Sequence, residues 1–320
     1  MENTPSKKLL IIDGNAIIHR AFHAIPNLTT STGTPTNAIY GFASMILNLL
    51  IKEKPEYIVI TYDRKGKTFR DDLYTEYKAT RVKAPQELYD QIPAIKNLMA
   101  AFNIPQFECE GYEADDVIAT IAHLTQKNDL HCEIVTGDRD AFQLISERVS
   151  VLTPKNGFKE YEIYTPLKVR EEFGISPEQF RDYKTLRGDT SDNIPGVPGI
   201  GEKTAANLLR KFDSIEKLYT ALGNNPSAPL PEGITAATAR KLTDGRASME
   251  MSAKLVALRT DAPIEFDIEK CKTHTFDLTS ITRLFENYEF RSLIKKLDEL
   301  KNCYSEIRQS EVNCMLPLEF

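Results

Sequence analysis

The chain has 320 residues, of which 41% are hydrophobic and 27% charged, with a formal net charge of −6. This is the composition of a soluble globular protein long enough for two domains. Its five cysteines show no CxxC spacing and its opening six residues are polar, which argues against zinc, a signal peptide or a membrane span and for a cytoplasmic protein with reduced thiols.

Residues 8–12 and 57–62 are continuous apolar runs rich in β-branched side chains, as suits strands buried on both faces. Residues 133–136 and 149–152 are shorter runs of the same kind. Between them, residues 38–51 place Ile39, Phe42, Ala43, Ile46, Leu49 and Leu50 on a helical period, and residues 114–124 do the same with Val117, Ile118, Ile121, Ala122 and Leu124. Alternating strand and helix predict an open α/β domain with a mainly parallel sheet over residues 1–175. From residue 176 the strand signals fade. Helices are predicted at 177–186, 204–212, 214–222 and 236–256, with a loop at 223–233 and at least one more helix within 276–300. Residues 301–320 have no clear period and read as a loose tail.

Acidic residues recur where these elements begin or end. Asp13, Asp63 and Asp138 follow predicted strands, where open α/β sheets bind ligands. Glu113, Asp115 and Asp116 open a helix, Asp140 lies two residues past Asp138, and Asp189 and Asp192 precede a glycine-rich turn. One such acid alone is an ordinary cap or turn residue. Nine gathered in one crevice would repel strongly, since two carboxylates ~5 Å apart cost roughly 3 kcal/mol at an effective dielectric of 20. A divalent cation reverses that sign, and oxygen-only donors point to Mg2+, with Mn2+ as a substitute, and in this number to two ions. Setting these nine charges aside leaves the rest of the chain at +3, so the net acidity does not exclude nucleic acid. A haloacid-dehalogenase-type phosphatase requires an acid where this chain has Asn15.

Two further segments point to nucleic acid. Gly196, Gly199 and Gly201 with Pro195 and Pro198 predict a helix–hairpin–helix over 186–212, whose backbone N–H groups, with Lys203, would grip a DNA phosphate without reading sequence. Residues 64–83 carry a local charge of +4. If 69–81 is helical, Arg70, Tyr74, Tyr77, Lys78 and Arg81 share one face, which suits phosphate pairing and base stacking.

The motifs LIIDGN, HRAFHA, YDRKGKTFRDDLY, YKATR, GYEADDVIAT, TGDRDAFQL, GDTSDNIPGVPGIGEKTA and FENYEFRSL occur in this order. Over residues 8–297 the chain resembles the 5′ nuclease domain of bacterial DNA polymerase I, within the flap endonuclease superfamily. The resemblance implies a Rossmann-like (PIN-like) core, a helical arch near 64–92 and a helical DNA-binding domain at 176–300. It implies Mg2+-dependent removal of 5′ flaps and RNA primers in replication and repair. Asp13, Asp63, Glu113, Asp115, Asp116 and Asp138 would form the tighter metal site, and Asp140, Asp189 and Asp192 its second side. Lys78 and Arg81 would contact the scissile phosphate, Arg20 and Arg70 further phosphates, and the hairpin carbonyls of 196–201 a K+ ion. A polymerase I chain continues past this point, so the sequence is either a nuclease encoded alone, with a polymerase acting in trans, or part of a longer chain. The competing readings are a non-catalytic DNA junction-binding protein and a hydrolase of small phosphate esters; the basic segment and hairpin weigh against the second.

Overall fold

The computed structural model describes residues 7–25, 27–126, 130–155, 160–223, 229–273 and 276–315, with side chains as far as Tyr304. Strands β1 (Lys8–Asp13), β2 (Tyr57–Thr61), β3 (Gln106–Phe107), β4 (His131–Val135), β5 (Val149–Lys155) and β6 (Glu160–Tyr164) form one sheet in the order β3-β2-β1-β4-β5-β6. All neighbouring pairs are parallel except β5 with β6. The chain builds outward from β1 to β2 and β3, then returns to the other side of β1 for β4. That reversal opens a crevice at the carboxyl ends of β1 and β4.

Both faces of β1 are fully buried, which explains its unbroken apolar run. Leu10 and Ile12 face α1 (Gly14–Ala24), α2 (Asn37–Glu53) and α4 (Gln86–Ala101). Leu9 and Ile11 face α5 (Ala114–Thr125) and join a core that continues without interruption into the helical region. There α6 (Pro166–Phe173) and α7 (Phe180–Arg187) lead into a tight turn and α8 (Glu202–Phe212), followed by α9 (Ile215–Leu222), α10 (Ala236–Asp244) and α11 (Arg246–Val256).

Three sequence expectations require correction. The single helix expected over 236–256 breaks at Gly245, where Val197 and Pro198 of the hairpin press so close that an added Cβ would lie 2.9 Å from Val197 Cγ1. The helical domain does not run unbroken to residue 300, because α12 (Leu278–Asn287) and α13 (Arg291–Met315) cross back to pack on α4 and α2. Ile281, Phe285, Leu293, Leu297 and Leu300 supply that contact. The expected loose tail is also helical as far as Met315, while residues 316–320 lie outside the described residues, as do 224–228 of the expected loop and the polar start at 1–6.

Candidate metal centre

Asp13 ends β1 and caps α1, accepting from the Ala16 N–H at 3.0 Å and the Thr136 hydroxyl at 2.7 Å. Gly14 follows because nothing larger fits: a Cβ there would lie 2.4 Å from the Tyr62 ring. Asp63 accepts from the Ala114 N–H at 2.8 Å and Asn15 Nδ2 at 2.9 Å, which ties the end of β2 to the start of α5. Asp138 follows β4, accepts from the Asp140 N–H at 2.9 Å and donates its own N–H to Thr136 Oγ1 at 3.0 Å. Asp115 faces the same crevice from the first turn of α5 and accepts no hydrogen bond from a described residue.

No lysine or arginine forms an ion pair with these four carboxylates among the described residues. Burial raises the Asp13 carboxyl to about 6, with Asp63 and Asp138 adding to the effect, against the hydrogen bonds from Ala16 and Thr136. Burial, then the charges of Asp138, Asp13 and Asp63, holds Asp115 well above the usual carboxylate range. Asp138 is raised chiefly by burial, against the nearby Lys184 ammonium.

The remaining carboxylates are already matched to protein cations. Lys184 on α7 pairs with both Asp140 and Asp189, the latter at 2.6 Å. Burial works to raise Asp189, but Lys184 and Ser191 outweigh it and bring the group down to about 2. Asp192 accepts from Arg81 at 2.5 Å and from the Tyr77 hydroxyl at 3.3 Å. Glu113 accepts from Lys78 at 2.6 Å and Tyr77 at 3.0 Å and forms an ion pair with Arg70 at 3.3 Å. Asp116 is fully buried and bound by the Arg70 guanidinium at 2.7 and 2.9 Å and by the N–H groups of Glu113 and Arg259. Its donors fill both oxygens, so it serves as a joint rather than as the metal ligand expected from the sequence. Among the described residues no three acidic, cysteine or histidine side chains already converge as a closed metal site. Like charges and interleaved cations keep the nine carboxylates from doing so.

The basic aromatic segment differs from its expected form. The helix α3 covers only Phe69–Leu73, and turns follow, with Lys78 in the left-handed region at φ 55°. Its N–H is tied to the Asp192 carbonyl at 2.9 Å, which bends the chain over the acidic crevice. Arg70 and Tyr77 are buried, and Tyr74 and Tyr77 pack with Ile194, Leu255 and Val256. Arg70 also donates to the carbonyls of Leu255 and Ala257. The aromatic face is therefore a small core that joins this segment to α11, not a stacking surface. Lys78 and Arg81 keep their heads at the crevice.

The hairpin needs its glycines for packing. An added Cβ at Gly196, whose φ is 63°, would lie 2.3 Å from the Gly188 nitrogen. The Gly196 N–H is spent on Ser252 Oγ and its carbonyl accepts from Ser248, while the Gly199 carbonyl accepts from Lys241. Gly196 is thus unavailable to a phosphate, and four of the carbonyls expected to hold K+, those of Gly196, Val197, Gly199 and Gly201, already have partners. Gly199, Gly201 and Lys203 are exposed at the outer edge. Arg20 lines a cleft of about 470 Å³ beside the crevice with Asp138, Lys184, Arg187 and Asp189.

Sequence reasoning missed Thr136, which hydrogen-bonds Asp13 and Asp138, and Lys184. It noted Asn15 only as a missing acid, although Asn15 fixes Asp63 through two bonds. The signal for Lys184 is its position on the inner side of α7, beside buried Phe180 and Tyr183.

Mutually repelling oxygen donors that grade from buried Asp13 to exposed Asp63, with no ion-paired cation among the described residues, fit a hard divalent cation at Asp13, Asp63, Asp115 and Asp138. Comparison with known proteins agrees with this architecture. Residues 8–174 match the 5'-3' exonuclease N-terminal resolvase-like domain, and residues 175–279 the 5'-3' exonuclease C-terminal SAM fold. The 5'-3' exonuclease of Aquifex aeolicus (strain VF5) is 39% identical over 294 residues, covering 92% of this chain and 96% of that protein. DNA polymerase I of Bacillus subtilis (strain 168) is 40% identical over 296 residues, covering 92% of this chain but 33% of that protein. The chain therefore spans about a third of the length of the polymerase relatives it matches. Among solved structures, the T5 5'-exonuclease with bound divalent zinc shares the fold with a TM-score of 0.62 at 23% identity, over 95% of this chain and 99% of that one. Flap endonuclease-1 from Methanococcus jannaschii does so with a TM-score of 0.59 at 17% identity, over 94% and 93%. With both family domains present in order and a full-length relative at this identity, the chain belongs to the 5'-3' exonuclease family.

Proposed function

We propose that the protein is a structure-specific 5′ nuclease that hydrolyses phosphodiesters at 5′ ends and at the base of 5′ flaps, using two Mg2+ ions or Mn2+ in their place. Its substrates are branched or nicked duplex DNA and RNA primers on DNA, as in primer removal and repair. The observation that supports this best is the crevice itself: buried Asp13, half-buried Asp115 and Asp138 and exposed Asp63, with no ion-pair partner among the described residues, bordered by Lys78, Arg81 and Arg20. The family membership and the neighbours described as bound to divalent metal or to DNA substrate point the same way.

Asp13, Asp63, Asp115 and Asp138 would hold the first ion, and Asp140, Asp189 and Asp192 would contribute to the second. Bound there, divalent cations supply Lewis-acid charge at the scissile phosphate and acidity to a water molecule. The chain supplies the rest. Asn15 and Thr136 fix the carboxylate rotamers that set ligand geometry. Lys78 and Arg81 exchange their carboxylate partners for the scissile phosphate and oppose its developing charge. Arg20 holds a neighbouring phosphate. The exposed hairpin edge with Lys203 holds the duplex backbone, so that selection follows DNA shape rather than base sequence.

The test is a labelled 5′-flap duplex incubated with Mg2+ and either wild type or an Asp115→Ala/Asp140→Ala double variant. Cleavage by wild type alone is expected. Binding without cleavage by wild type would favour a junction-binding protein, and equal cleavage by the variant would refute the metal assignment.

A further inference from the structure

The nine carboxylates form two sets with opposite electrostatic character. Asp13, Asp63, Asp115 and Asp138 form no ion pair among the described residues, although the charge of Lys184 reaches Asp138. Asp140 and Asp189 share one, the ammonium of Lys184, whose side chain is 5% exposed. A lysine of the surrounding helix would ordinarily reach water, because its stem is long and its head strongly hydrated. Here the stem runs along the inner side of α7 beside Phe180 and Tyr183, and the head ends between two carboxylates from different elements. Asp140 lies on the 3-10 turn Arg139–Leu144 after β4, and Asp189 lies in the loop that leads into the hairpin.

We propose that Lys184 is a built-in counterion of the second carboxylate set, which a divalent cation must displace in order to bind there. This rests on the metal reading above. An ammonium and a divalent cation at the same two carboxylates exclude each other, both by occupying the same oxygens and by repulsion at a few ångströms. In the first set no ammonium is seated on the oxygens among the described residues, and Lys184 acts on Asp138 only through its charge at longer range. The chain would therefore bind one divalent ion readily and the second only at higher concentration, or when substrate phosphate adds negative charge and draws Lys184 away. The same ammonium joins the β4 turn to the hairpin loop, so displacing it would loosen a contact between the sheet and the DNA-gripping region as the second ion arrives.

The test is Mn2+ titration by isothermal calorimetry on wild type, Lys184→Met and Lys184→Arg, with melting temperatures measured in EDTA and in Mn2+. Wild type should show one tight and one weak site. Lys184→Met should tighten the weak site by roughly tenfold or more, since a unit charge at contact distance is worth at least that factor near a protein surface, and should tighten the strong site by clearly less, because there the ammonium acts on Asp138 from a distance. It should also melt lower than wild type in EDTA and recover in Mn2+. Lys184→Arg, which keeps the charge, should resemble wild type. Unchanged weak-site affinity in Lys184→Met, or a melting deficit that Mn2+ does not restore, would overturn the proposal and leave Lys184 a structural ion pair. No Mn2+ binding by wild type would overturn the metal reading itself, and this proposal with it.

Discussion

Replacing Asp13 by Asn should stabilise the protein in EDTA at pH 7.5, although the residue lies at the centre of the proposed chemistry. Asp13 is 4% exposed. Its carboxyl rises from 3.8 to about 6, first through burial and then through Asp63 and Asp138. A carboxyl raised in the fold contributes stability below its unfolded pKa, and that contribution is lost as the pH rises through the folded value. Between pH 3.8 and about 6 the fold therefore loses stability, and at pH 7.5 the whole penalty is present. Two pKa units at 1.36 kcal/mol each amount to about 3 kcal/mol. Asn caps helices as well as Asp does, so the Ala16 bond survives. Thr136 loses a charged acceptor, which costs about 1–2 kcal/mol. The net expectation is a gain of about 1–2 kcal/mol, or roughly 2–3 °C in Tm for a chain of this size. The assay is differential scanning calorimetry in EDTA from pH 5 to 8, where the advantage of the variant should grow up to about pH 6 and then level off. Adding Mg2+ should reverse the order by stabilising wild type alone. A variant that melts lower than wild type at pH 7.5 in EDTA, or a difference independent of pH, would refute the electrostatic reasoning.

Other expectations follow from the joints around the crevice. Arg70→Met leaves Asp116 buried without its bidentate partner and should cost about 3–5 kcal/mol in urea denaturation, because one charge of a buried pair is left uncompensated. Tyr77→Phe removes donors to Glu113 and Asp192 and should cost about 2 kcal/mol in the same assay. Lys78→Ala should lower single-turnover cleavage by about 100-fold while changing duplex affinity little; a loss of affinity alone would count against its role at the phosphate. Lys203→Ala should weaken binding to all duplex sequences alike and reduce the slope of log affinity against log salt by about one. A sequence-dependent effect would contradict the backbone grip.

The crevice was legible because strands buried on both faces are unbroken apolar runs, and an acid at the end of such a run stands out. Asp13, Asp63 and Asp138 needed only the parallel α/β order to be brought together. Asp116 was misassigned because the sequence shows three acids at one helix start but not which way each points. One turn of α5 sends Asp115 to the crevice and Asp116 inward to Arg70. The segment after Asp63 was misread for a similar reason. Its tyrosines lie at helical spacing, but spacing does not reveal that Ile194, Leu255 and Val256 wait to cover them. Nor does it reveal that the Asp192 carbonyl pulls Lys78 out of helical geometry. Lys184 resembles any surface lysine until α7 is packed. The return of α12 and α13 onto α2 and α4 is a tertiary choice among apolar helix faces, which periodicity alone cannot rank.

The central claim is that divalent cations held by this crevice cut DNA at a free 5′ terminus. Its most direct measurement is product mapping on a 5′-flap duplex and on the same sequence closed into a continuous circle with no 5′ end, each with Mg2+ and with EDTA. The account predicts incision at the base of the flap in Mg2+, none in EDTA and none on the closed substrate. Incision that persists in EDTA would contradict it, and so would equal cutting of the closed circle.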